Sequence, residues 1–115
     1  LAGDAVLRQI GEALARAIRS GEAVGRYGGD EFAAVIDACD PPALAATAER
    51  LRRAVSDATI RYEETRIDVT LTIGGATTRP GVTTSADGLL ATADRALYAA
   101  KAAGRNRSVI VGAPE

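Results

Sequence analysis

The chain contains no histidine, and that absence removes several chemistries at once. Ser-His-Asp and Cys-His catalysis both need an imidazole base, and the usual zinc sites draw on imidazole ligands. There is one cysteine, Cys39, so no internal disulfide is possible and a reducing cytosol fits best. With no histidine to activate it, Cys39 reads as a small residue at a strand end rather than a nucleophile. No run approaches the roughly 18 apolar residues of a membrane span, and no signal peptide is expected. The formal net charge is only −1, which gives no general attraction to nucleic acid or to an anionic membrane. Any basic cluster must therefore act locally. The expected localisation is cytoplasmic, with the cytoplasmic part of a membrane-anchored protein as the other form of it.

What is present is ordinary for a globular domain: 115 residues, 47% apolar and 25% charged, enough for one core and one domain over 1–115. The chain begins abruptly at Leu1, which reads as a fragment, or as a larger domain whose first part is missing. From Asp4 to Ser20, Val6, Leu7, Ile10, Leu14, Ala17 and Ile18 follow helical spacing, with Asp4 expected as N-cap and Gly21 as the stop. Ala23 to Tyr27 and Glu31 to Asp37 read as a hairpin. Asp40-Pro41-Pro42 starts a second helix, in which Leu44, Ala48, Leu51 and Val55 run to about Asp57. Ile67, Val69, Leu71 and Ile73 alternate with polar residues as a half-buried strand, which Thr59 to Tyr62 pairs through the polar turn Glu63 to Arg66. Gly74-Gly75 is expected to end or bend that strand, and 77–84 to be loop. Ser85 or Thr84 caps a last helix with Leu89, Leu90, Ala93, Ala96, Leu97 and Ala100 buried, Gly104 stops it, and Val109-Ile110-Val111 closes the fold. The order describes α+β: helices packed on a central, antiparallel-rich sheet.

The chemistry centres on Arg26-Tyr27-Gly28-Gly29-Asp30-Glu31-Phe32. Two glycines suit a hairpin turn that needs φ > 0, and a bare backbone lets a phosphate approach. Two carboxylates follow, the parts of a Mg²⁺-nucleotide site. Taken alone, a turn flanked by solvated charges explains the same residues. In the last helix Asp94, Tyr98 and Lys101 share one polar stripe, and Arg105 lies just past the Gly104 stop. A point charge and a planar fork suit a triphosphate. Cations complementing the helix dipole are the simpler account of that end.

Together with Ala48-Glu49-Arg50-Leu51-Arg52, Thr70-Leu71-Thr72-Ile73-Gly74 and the run from Ala93 through Lys101 and Gly104-Arg105-Asn106-Arg107, the glycine-acid stretch resembles the GGDEF domain of diguanylate cyclases over nearly the whole chain. The resemblance implies a ferredoxin-like fold of the nucleotide-cyclase and polymerase-palm kind. It also implies a homodimer in which two GTP condense to cyclic di-GMP with release of two pyrophosphates. The 3′-hydroxyl of each GTP attacks the α-phosphorus of the other, with Mg²⁺ or Mn²⁺ as cofactor. Carried over by position, Asp30 is the metal-ligating acid that helps deprotonate the hydroxyl, and Glu31 is the second acid, supporting the metal site or the turn. Gly28 and Gly29 let the nucleotide lie against the backbone, Lys101 and Arg105 hold the terminal phosphates, and Asp4 reads the guanine edge, besides its alternative as a helix cap.

The family often carries Arg-x-x-Asp before the signature as a site for inhibitory product. Here the positions read Arg19-Ser20-Gly21-Glu22, with Arg50 matching a secondary arginine, so an inhibitory site and a surface ion pair both stay open. The family's first strand, with a metal-ligating Asp, then Phe-Lys and a guanine-reading Asn, and its first helix do not precede Leu1. The 115 residues alone are therefore expected not to cyclise GTP. An upstream sensory or receiver domain is the expected partner, with no nucleic acid and no membrane contact by this segment. A polymerase relative would need a template groove, of which the charge gives no sign. The alternatives to an enzyme are a non-catalytic domain that binds GTP or cyclic di-GMP as a regulatory receptor, and a plain dimerisation unit.

Overall fold

A computed structural model describes residues 2–28, 31–36, 40–77 and 85–111. Their order is α1 (Ala2–Ala17), β1 (Glu22–Gly28), β2 (Glu31–Ile36), α2 (Pro41–Asp57), β3 (Ile60–Tyr62), β4 (Thr65–Ile67), β5 (Ile73–Ala76), α3 (Ala86–Ala102) and β6 (Ser108–Val111). The α+β class holds. Among the described residues the strands pair as three two-stranded sheets. β1–β2 and β3–β4 are antiparallel, and β5–β6 is a parallel pair bridged by α3. A parallel pair requires such a crossover, which the closing strand's sequence does not announce.

The helices begin where cap chemistry places them. The Asp40 carboxylate accepts from the Ala43 N–H at 2.9 Å ahead of Pro41, and the Ser85 hydroxyl accepts from the Gly88 N–H at 3.0 Å. Thr84, the other candidate cap, lies outside the described residues. Asp40→Ala leaves that N–H without its acceptor and is expected to lose about 1 kcal/mol, read as a lower denaturation midpoint at an unchanged slope. Two boundaries of α1 differ from expectation. The helix starts at Ala2, so Asp4 sits in its first turn rather than at its cap, where a carboxylate still complements the dipole. It ends at Ala17, and Gly21, with φ of 83°, belongs to a separate turn closed by Glu22 N–H to Arg19 O at 3.0 Å. Positive φ at the third turn position is what type II requires of a glycine.

The core joins Ile10 and Leu14 of α1, Leu51 and Val55 of α2, and Ile60 of β3, with Val69, Leu71 and Ile73 packed against it. Alternation thus names Val69, Leu71 and Ile73 correctly as inward side chains, but not a continuous strand. β4 stops at Ile67 and β5 starts at Ile73 on a different partner. Alternation fixes a face, whereas a ladder needs a neighbour. Gly74 and Gly75 do not end the strand either; they lie inside β5. A Cβ on Gly74 would stand 2.1 Å from the Leu97 nitrogen, and one on Gly75 would stand 2.7 Å from Ile110 Cδ1. Gly74 lets α3 lie directly on the strand, and Gly75 makes room for Ile110 of β6 and Leu44 of α2.

Candidate functional site

The hairpin carries one correction of register. Gly28 pairs with Glu31 and Arg26 with Phe32, so the first glycine belongs to β1 rather than to the turn. Between those pairs Tyr27 is an extra residue, a bulge of the kind that re-aims backbone beside active sites. Gly29 and Asp30 lie outside the described residues, as does Cys39, and Glu31 is described through its backbone alone. Among the described residues no group of three or more potential metal ligands comes together.

The end of α3 that carries Lys101 and Arg105 is fully described. α3 closes in a complete Schellman motif, with Gly104 N–H to Lys101 O at 3.3 Å and Arg105 N–H to Ala100 O at 3.1 Å. Gly104 takes φ of 125°, and two further residues remain left-handed, Arg105 at 61° and Asn106 at 48°. Asparagine tolerates that region; arginine adopts it at a cost of about 1–2 kcal/mol. The Asn106 N–H donates to Thr72 Oγ1 at 2.9 Å. The Asn106 side-chain oxygen accepts from Arg52 Nη1 at 2.8 Å. Arg52 is itself held by Glu49, through Nε at 3.0 Å and a second bond from Nη2. That fork holds the Glu49 carboxyl below its ordinary range and raises Arg52. Lys101 and Arg105 are exposed, and among the described residues neither cationic head makes an ion pair or hydrogen bond. Tyr98, one turn before Lys101, is 77% exposed.

Arg19, Glu22 and Arg50 also come together, although not as an Arg19–Glu22 ion pair. The Glu22 carboxylate accepts from Arg50 Nη2 and from the backbone N–H of Arg19 at 2.9 Å. Arg50 Nε donates to Ala17 O at 3.2 Å. The cluster ties the end of α1 and the start of β1 to α2. Bonding to the Arg50 guanidinium, and then to the Arg19 N–H, holds the Glu22 carboxyl below its ordinary value of 4.5. A lowered folded-state pKa stabilises the fold above the unfolded value, and the gain disappears as pH falls through the folded one. The stability gap between wild type and Glu22→Gln is therefore expected to be open at pH 7 and to close below pH about 4, measured by urea denaturation across that range. A gap independent of pH would contradict it.

Asp4 is exposed on the first turn of α1. Thr72, Asn106, Arg52 and Glu49 stood in stretches whose pattern was plain but whose individual roles were not. The one advance signal was an asparagine two residues after a helix-stopping glycine, a position where left-handed backbone is common.

A family model described as diguanylate cyclase, GGDEF domain, matches residues 1–107. Diguanylate cyclase A of Treponema denticola is 36% identical over 106 residues, covering 92% of this chain and 28% of the relative. The diguanylate cyclase SiaD of Pseudomonas aeruginosa, solved with its activator SiaC, superposes with a TM-score of 0.84 at 28% identity over 94% of this chain and 41% of that one. The GGDEF domain of DgcB from Caulobacter crescentus, solved with c-di-GMP, gives 0.80 at 33% identity over 93% and 63%. The chain thus spans under a third of the Treponema cyclase. It belongs to the GGDEF family of diguanylate cyclase domains.

Proposed function

We propose that this domain is the catalytic module of a diguanylate cyclase, condensing two GTP into cyclic di-GMP across a homodimer. The observation that carries the reading is the exposed cation pair Lys101 and Arg105, mounted on a fixed helix end in a chain with an intact Gly-Gly-Asp-Glu-Phe signature. Lys101 and Arg105 bind the terminal phosphates as point charge and fork. Gly28 and Gly29 admit the nucleotide against the backbone, and Asp4 accepts from the guanine edge. In each half-reaction the 3′-oxygen forms a bond to the α-phosphorus of the other GTP. The bond to the bridging oxygen breaks, and pyrophosphate leaves with that electron pair.

The hydroxyl proton passes to solvent with help from the Asp30 carboxylate. Asp30 and Glu31 are hard oxygen donors suited to Mg²⁺ or Mn²⁺. Such an ion supplies neutralisation of phosphate charge and a lowered pKa of the attacking hydroxyl. Partners in this reading are GTP, cyclic di-GMP, a second copy of the chain and a sensory or receiver domain, in the cytoplasm.

The test is incubation of the full-length protein with GTP and Mg²⁺. Cyclic di-GMP with two pyrophosphates per product supports the proposal, whereas GTP bound and returned unchanged favours the receptor reading. A second proposal concerns Arg19, Glu22 and Arg50 as a site for inhibitory product. It is supported by the meeting of the Arg50 guanidinium and the Arg19 backbone N–H at the Glu22 carboxylate, with the Arg19 side chain exposed beside them. Activity that falls as cyclic di-GMP accumulates, and no longer does so in Arg19→Ala, bears it out; equal inhibition in the variant removes it.

A further inference from the structure

We propose that Thr72, Arg52 and Asn106 are positioning residues that hold the left-handed turn after α3 and thereby aim Arg105 at the terminal phosphates of bound nucleotide. The inference rests on the phosphate-binding reading of Arg105.

Three successive residues, Gly104, Arg105 and Asn106, carry positive φ. The Schellman bonds account for the first two N–H groups, but a Schellman motif needs only one left-handed residue. What holds the second and third is outside the helix. Thr72, in the chain leading into β5, accepts the Asn106 N–H at 2.9 Å. Arg52, on α2, donates Nη1 to the Asn106 side chain at 2.8 Å. The Arg52 guanidinium has no freedom to drift, because its Nε and Nη2 edge is taken by Glu49. On the far side the Arg105 carbonyl accepts from Arg107 Nε at 3.1 Å, and the Arg107 carbonyl accepts from the Ile73 N–H at 2.9 Å.

The backbone of Arg105 is thus fastened from α2, β5 and α3, while its own guanidinium makes no hydrogen bond or ion pair among the described residues and is exposed. Strained backbone that its surroundings over-determine, carrying one uncommitted charged group, is the arrangement of a pre-set ligand clamp. Prepaid ordering of the turn lowers what binding must otherwise spend on it.

Affinity for GTP and for GMP separates this role from a structural one, because only GTP has the phosphates that Arg105 reaches. In the full-length protein, Thr72→Val removes the acceptor at nearly constant volume. It is expected to weaken GTP about tenfold, equivalent to one well-placed hydrogen bond, with GMP affinity unchanged and only the small fall in melting temperature that the loss of one hydrogen bond brings. Thr72→Ser restores GTP affinity. Asn106→Gly keeps left-handed backbone accessible but removes the Arg52 bond, and shows the same selective loss should Thr72→Val not fold. Equal weakening of GTP and GMP, or no weakening of either, overturns the inference. Arg105→Ala is the control on the underlying reading. If it weakens GTP selectively and the turn variants do not, the positioning role alone falls. If it does not, both fall.

Discussion

Gly74→Ala is expected to lose about 3 kcal/mol or more, the upper range for an overpacked site, and to lower the melting temperature by roughly 10–20 °C for a domain of this size. The new methyl would stand 2.1 Å from the Leu97 nitrogen and 2.5 Å from both the Ala93 oxygen and Leu97 Cα. All three are atoms of the α3 backbone, so no rotamer change makes room. The helix must lift from β5 and take Lys101 and Arg105 with it, so GTP affinity falls along with stability. Gly11→Ala is the comparison that isolates the cause. Its Cβ meets only the Phe32 ring, at 3.3 Å, which can tilt by a few tenths of an ångström. Calorimetry on the two variants checks this, and similar melting temperatures would contradict the close-packing account.

The second large effect is chemical. Asp30→Ala is expected to reduce cyclic di-GMP formation by about a thousandfold. In the proposed reaction Asp30 would hold the metal ion, so its loss would remove several kcal/mol of charge stabilisation, and each 1.4 kcal/mol is about a factor of ten in rate. The readout is initial rate with saturating GTP and Mg²⁺ in the full-length protein. The loss should appear in turnover far more than in GTP affinity, since Lys101 and Arg105 remain to grip the terminal phosphates. A variant that retains wild-type turnover would remove Asp30 from the reaction.

Much of this was legible in residue order because the governing interactions are local. Asp40 and Ser85 cap the helices they precede, Gly104 stops α3, and the apolar periodicity of α1 and α2 names Leu14, Leu51 and Val55 as core. What could not be read locally depended on partners distant in sequence. Nothing near Gly74 announces that Leu97 will lie against it, so in the sequence a packing glycine reads as the end or the bend of a strand. Ile67 to Ile73 alternates as a strand should, yet its two ends pair with different neighbours.

The candidate site divides the same way. Lys101 and Arg105 stand out by helix spacing and charge, and the resemblance to the family is what gives them a phosphate role. The turn that fixes Arg105 draws on Arg52 and Thr72, 54 and 34 residues away from Asn106 in the chain. Glu22 shows a third case, in which a motif was visible but its bonding was not. Its carboxylate faces Arg50 across the fold, and from Arg19 it takes only the backbone N–H.

The most direct test of the central claim, that the signature hairpin and the cationic end of α3 act on one nucleotide, is a crystal structure of the full-length protein with Mg²⁺ and a non-hydrolysable GTP analogue. The account predicts the β- and γ-phosphates within hydrogen-bond distance of Lys101 Nζ and the Arg105 guanidinium, with the metal ion on Asp30 and the phosphate chain passing over Gly28 and Gly29. An analogue bound with its terminal phosphates away from Lys101 and Arg105, or with the ion held elsewhere than on Asp30, would contradict it.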